Sequence, residues 1–304
     1  MDKIDRELLE QIADLHKIPE GAYNIRKNGE CLSRNTSAEI DIVPKAKKSG
    51  IDIIVKKGVK NRSCHIPVII SKSGLNDVVY NDFYIGDDAD VTIIAGCGIS
   101  CSEGKSEHDG IHSFHLGKNS RVKYVEKHLG IGKDQAERIL NPVTKIYMKE
   151  NSYFEMDTLQ IGGVTYSKRR TEATLDENAK LLIKEKILTT SEQQAITQFK
   201  VNLRGKGSSV DVISRSVAKD TSVQSFYSSI TGNEEVFGHV ECDGILCDNA
   251  KIISTPKIIA NDVNASLVHE AVIGKIAGEQ LIKLMSLGLS KEEAEDVIIK
   301  GFLN

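Results

Sequence analysis

Cys242, His269 and Glu270 are the side chains whose types and spacing point most directly to metal chemistry. Thiolate and imidazole are good ligands for iron, and a carboxylate completes a labile, hard position. The segment Glu241-Cys242-Asp243-Gly244-Ile245-Leu246-Cys247 carries two thiols, and residues five apart on one strand point to opposite faces, so only one of them can face a core. His269 and Glu270 follow Cys242 by 27 and 28 residues. If the chain repeats with about that period, the three residues stack on adjacent coils about 4.8 Å apart and share one small site. The same residues also fit a plainer arrangement, a buried structural cysteine beside a surface His–Glu pair.

A second group lies between residues 97 and 115, where Cys97, Cys101, Glu103, His108, Asp109, His112 and His115 are interspersed with glycines. Cys97, Cys101, His112 and His115 are candidate ligands of an additional metal ion, zinc or iron, if the glycines let a loop fold tightly around it. His112 and His115 are an odd number apart, so on a regular strand they point to opposite faces, and both can ligate only if the segment is irregular. The alternative is a polar loop with incidental histidines. Glu126-Lys127-His128 reads as a solvated edge.

These residues need elements to hold them, and a short pattern repeats along the chain: a turn-forming Asn, Asp or Gly, a small residue, any residue, then an aliphatic or aromatic one that opens a strand. It begins at Asp88, Asn119, Asn151, Asn178, Gly207, Asp220, Asn249 and Asn264. The intervals cluster near about 29 residues and near half of that, as when one coil holds two strands joined by turns. Asn, Asp and Gly tolerate the left-handed backbone that such turns need. A strand-plus-turn unit cannot bury its apolar side alone, so the units stack into a β-solenoid. Arg121-Val122-Lys123-Tyr124-Val125-Glu126 and Ser209-Val210-Asp211-Val212-Ile213 alternate apolar with polar, as strands with one wet face do. A β-sandwich with similar turns is the competing fold, but it places turns every 8 to 12 residues or so. The strict six-residue spacing of a hexapeptide solenoid is not visible.

The ends read as helical. Ile4, Leu8, Ile12 and Leu15 make an amphipathic stripe that ends before Pro19. Near the other end Ile273, Ala277, Leu281 and Leu284 form a stripe closed by Gly288, and a further helix starts at Ser290 with Glu293 completing a capping box and Ala294, Val297, Ile298, Gly301 and Phe302 on its apolar side. The expected organisation is a helical arm and linker over 1–35, a solenoid core over 36–268 and a helical segment over 269–304.

Composition restricts the partners. Lys plus Arg is 40 against 43 for Asp plus Glu, which gives no single-sign field for nucleic acid or an anionic membrane. The charged start and the lack of a long apolar run predict a cytoplasmic protein with no membrane span. Six cysteines in such a chain are read as free thiols or metal ligands rather than disulfides. With no Trp and few aromatic residues, the core falls to Ile, Val and Leu, which favours strands. There is no Gly-x-x-x-x-Gly-Lys-Ser loop, so any ATP dependence must come from another chain.

The stretch 241–247, then Pro256-Lys257-Ile258, Val268-His269-Glu270-Ala271-Val272-Ile273-Gly274-Lys275-Ile276, Leu287 to Ala294 and Ile299-Lys300-Gly301-Phe302 resembles, in order and spacing, the C-terminal signature of the SufB/SufD family. The likeness is sharpest over 235–304 and extends more weakly to around residue 80. It implies a right-handed parallel β-helix with small helical ends, acting as a non-enzymatic scaffold for iron–sulfur cluster assembly. It also implies a SufC-like ABC-type ATPase partner, a sulfur donor protein, recipient apo-proteins and a transient iron–sulfur cluster. Cys242 matches the SufB cysteine that receives sulfur or holds the nascent cluster, Glu270 matches the SufB glutamate paired with it, and His269 matches the SufD histidine. This chain carries all three, which makes it closer to SufB and suggests a homodimer that does both jobs. It is shorter than a full SufB at the front, so functions of that region, flavin association included, do not carry over. Two other classes use a β-helix. A polysaccharide lyase or hydrolase would need paired carboxylates in a groove, with Asp211 and Asp243 available. A structural adaptor would stay colourless when offered iron and sulfide.

Overall fold

The structure, a computed structural model, describes residues 3–13, 15–16, 19–132 and 136–303. Among these residues twenty strands and three helices form a parallel β-solenoid whose two sheets enclose one apolar core. In the first sheet Tyr153–Ile161, Lys180–Thr189, Ser209–Ala218, Phe237–Leu246 and Ser266–Lys275 pair in succession, each parallel to the next. The second sheet ends with Tyr166–Leu175, Gln194–Leu203, Val223–Gly232 and Lys251–Ala260, paired in the same way.

The repeat works through its corners. Asp88, Asn119, Asn151, Asn178 and Gly207 all take the left-handed conformation, with φ between 54° and 69°. The small residue that follows each of them, Ala89, Ser120, Ser152, Ala179 or Ser208, is buried where nothing larger fits. Ser120 and Ser152 satisfy their hydroxyls there by donating to the carbonyls of Gly117 and Lys149. These corners lead into the first sheet. Corners entering the second sheet run one residue longer: after Asp220 the buried small residue is Ser222, not Thr221, and at the next such corner the left-handed residue is Asp248 rather than Asn249. Inward residues then alternate with outward ones, and an aromatic file through Phe83, Phe114 and Phe154 fills the core, with ring centroids 4.1 and 4.9 Å apart.

At one end each sheet finishes in an antiparallel pair. Strands Ala22–Lys27 and Glu30–Asn35 pair antiparallel, as do Ile40–Pro44 and Gly50–Val55, so strands begin inside the segment expected to be arm and linker. Helix α1, Lys3–Ala13, buries Leu8, Leu9 and Ile12. It lies so close to the sheet that a Cβ added at Gly98 would sit 2.7 Å from a Leu8 methyl.

The other end is open. Ser266–Lys275 continues as strand past residue 268, so Ile273 belongs to the solenoid and not to a helical stripe; the parallel ladder with Phe237–Leu246 outweighs its helical spacing. Helix α2, Gly278–Ser286, has no buried residue. Helix α3, Lys291–Leu303, starts with the expected box: Glu293 N–H donates to Ser290 Oγ and Ser290 N–H donates to the Glu293 carboxylate. It seats Ile299 and Leu303 beside Val217, while Val297, expected on the apolar side, faces outward. Among the described residues Lys251–Ala260 and Ser266–Lys275 each have a neighbour on one side only, which leaves two unpaired backbone edges with Ile253, Ile258 and Val272 exposed.

Candidate metal centre at the open end

Cys242 points inward from Phe237–Leu246, has no solvent-exposed surface and is covered by a single further coil. Burial pushes its thiol up to about 11, against the smaller opposite effect of the nearby Ser254 hydroxyl. Cys247 lies past the end of that strand, half-buried near α3, so the two thiols do separate.

The register corrects the expected stacking. Phe237 pairs with Ser266 and Cys242 with Ala271, so the last coil advances by 29 residues rather than 27 or 28. His269 therefore stands beside Val240 and Glu270 beside Glu241. By parity His269 faces the interior with Cys242, one strand over and two residues along, and Glu270 faces the outside. His269 is half-buried, and neither ring nitrogen has a hydrogen-bond partner among the described residues. Burial, then His239, lowers the His269 pKa. Within one chain the end thus offers a thiol and a neutral imidazole inside and a carboxylate outside. Among the described residues no group of three or more His, Cys, Asp or Glu converges to hold a metal ion.

Outside, the Glu270 carboxylate lies 4.0 Å from His239 Nε2, and His239 Nδ1 is 2.9 Å from Asp211. Burial and a hydrogen bond with Asp243 raise the Glu241 carboxyl. The sequence analysis missed His239; its signal was its place two residues before Glu241 and three before Cys242, on the outward parity of a strand whose next coil carries Glu270.

The second candidate set does not assemble. Residues 97–115 fall mostly on regular strands, Asp90–Ser100 and Lys105–Leu116, rather than in a glycine loop. His112 points inward, donating from Nδ1 to the Tyr124 hydroxyl at 2.8 Å, whereas His115 points outward, stacked between Tyr84 and Tyr147. Cys101 is turned to the Glu137 carbonyl. Cys97 faces a cavity of about 20 Å³ with His108, His112, Glu126 and His128, room for one water.

Glu126 and His128 are buried, not a solvated edge. Tyr124 donates to Glu126 at 2.8 Å, Arg169 donates to Glu126 at 2.6 Å, and Arg169 Nε is 3.7 Å from Glu185. Glu185 in turn accepts from Thr197 and from Ser214, the register neighbour of Cys242. A polar thread therefore runs through the core from His112 to the coil beneath Cys242. Burial would raise the Glu126 carboxyl, but Arg169 and His128 outweigh it and hold it well below the usual range.

The chain is a parallel β-solenoid with an inward thiol and, one strand over, an inward imidazole that has no hydrogen-bond partner among the described residues. The profile described as "SUF system FeS cluster assembly, SufBD core domain" matches residues 74–302, and the chain belongs to that family. It is 29% identical over 262 residues to an "Iron-sulfur cluster assembly SufBD family protein" of Methanocaldococcus jannaschii, covering 83% of this chain and 79% of the relative. Relatives of the same description from Methanothermobacter thermautotrophicus and Pyrococcus horikoshii are each 27% identical, covering 78% and 84% of this chain. The chain spans only 58% and 57% of those two proteins. No helix among the described residues is long and apolar enough to cross a membrane.

Proposed function

We propose that the chain is a cytoplasmic scaffold on which an iron–sulfur cluster is built, with Cys242 accepting sulfur from a donor protein and the finished cluster leaving to recipient apo-proteins. The observation that carries this is that Cys242 and His269, whose nitrogens have no partner among the described residues, both face inward from the last two coils of the first sheet. The working unit is a homodimer joined through the last coils: two open ends related by a two-fold axis cover each other's unpaired edges. Such a dimer supplies what one chain does not bring together, placing Cys242 and Glu270 of one copy near His269 of the other. The chain is not itself an ATPase, and an ABC-type ATPase docks on the helical end.

Complementation tests the dimer. Chains carrying Cys242→Ala and His269→Ala, tagged differently and co-purified, form a mixed dimer with one complete cross-chain set. It is expected to hold about half the cluster of the native dimer while both homodimers hold little. A chain monomeric at assay concentration, or a mixed dimer as inactive as the homodimers, contradicts the arrangement.

For the ATPase, deleting residues from Ser290 onward is a poor test, because α3 packs on Val217 and its loss would expose core. Ile282 and Leu287 are 68% and 76% exposed on and just after α2. Ile282→Asp with Leu287→Asp should end co-purification with an ABC-type ATPase and shift folding stability by no more than about 0.5 kcal/mol. Retained binding would place the interface elsewhere.

A further inference from the structure

We propose that His239 and Glu270 form a landing site for a divalent transition-metal cation on the outer face of the last two coils, with Asp211 as the residue that positions the imidazole. Three strands supply it: Asp211 from Ser209–Ala218, His239 from Phe237–Leu246 and Glu270 from Ser266–Lys275. Asp211 and His239 are direct register partners, and His239 Nδ1 lies 2.9 Å from the Asp211 carboxylate. A carboxylate accepts and does not donate, so Nδ1 is the donor to Asp211, and Nε2 is the nitrogen through which the ring would hold a cation. Nε2 faces a Glu270 oxygen 4.0 Å away.

At 4.0 Å the two atoms make no direct hydrogen bond. One cation at about 2.1 Å from each spans the gap, with water completing its sphere. A carboxylate behind a ligating histidine fixes its ring and raises its basicity. Glu241, the register partner of Glu270, and Asp243, hydrogen-bonded to Glu241, add negative charge that Arg215 offsets only in part while it donates to the Phe302 carbonyl. Two protein ligands give weak, exchangeable capture, which suits cargo. Ser266–Lys275 has a free outer edge, so a cation held at Glu270 is one strand's width from the inward side that Cys242 occupies.

The inference rests on the scaffold reading only for the identity of the cation in use, ferrous iron. Cobalt(II) chloride, titrated anaerobically into the full chain and followed by absorption, tests the site without any cluster. The unaltered chain should bind one equivalent with weak d–d bands of oxygen and nitrogen ligation. Cys242→Ala should leave that spectrum unchanged. His239→Ala should weaken binding at least tenfold, and Asp211→Asn, which keeps a hydrogen-bond acceptor, about tenfold. Circular dichroism identifies a variant that fails to fold, in which case the other variant decides. Undiminished affinity in folded His239→Ala or Asp211→Asn overturns the proposal, as does intense thiolate charge-transfer absorption that vanishes in Cys242→Ala. If cobalt binds as described but iron and sulfide yield no cluster, the scaffold reading fails and the cation site stands.

Discussion

Replacing Cys242 with alanine is expected to leave the solenoid folded and to cut cluster formation by more than tenfold. Sγ is lost from an interior covered by one further coil, and the β-ladder on both sides is untouched, so the cost in stability is that of a small apolar group, about 1 kcal/mol. The functional cost is not small, because Cys242 is the inward thiol in the coil below the open end. Burial pushes its thiol up to about 11, so at neutral pH the protonated thiol dominates. Alkylation of Cys242 should accordingly be slow beside that of exposed Cys31. Cys31→Ala is the control: that thiol lies at the opposite end of the solenoid, and its loss should leave cluster content unchanged. Normal assembly rates in folded Cys242→Ala would remove the cysteine from the mechanism.

Arg169→Met is expected to cost the most stability, about 3–5 kcal/mol in denaturant unfolding, because it strips the buried Glu126 carboxylate of its principal counter-ion and leaves Glu185 without a cation. Adding Glu126→Gln should recover part of the loss. The same thread makes the fold acid-sensitive. Burial lowers His112 to about 4, so the unfolded chain takes up a proton near pH 6.5 that the folded chain refuses, and stability falls as the pH drops from about 6.5 to about 4. Glu126, depressed in the folded state, adds a loss of the same sign at lower pH, whereas Glu185, raised by burial, works against it. An unfolding midpoint that is flat from pH 7 to 4 would show that His112 is not held neutral as its bonds to Tyr124 and Asn81 imply.

The solenoid was legible because most of its corners are: Asp88, Asn119, Asn151 and Asn178 are left-handed and each is followed by a buried small residue, and the period follows from them. The register of the last coil was not legible. A slip of one residue exchanges the two faces of a strand, and only the ladder from Phe237–Ser266 onward decides that Glu270 faces out. The Arg169–Glu126–Glu185 thread escaped for a related reason. Glu126 and His128 continue the inward parity of Val122 and Tyr124, yet charged residues read as exposed unless their partners are known, and Arg169 is 43 residues away in sequence. The family signature identified Cys242, His269 and Glu270 as a set but carried no sign of His239, which matters only once its strand is seen lying between Asp211 and Glu270.

Anaerobic reconstitution of the purified chain with ferrous iron and sulfide, read by visible absorption, tests the central claim most directly. The account predicts sulfide-to-iron charge-transfer bands that persist through desalting in the unaltered protein and in Cys31→Ala and are lost in Cys242→Ala. A chain that stays colourless under those conditions, or colour that survives in Cys242→Ala, would contradict it.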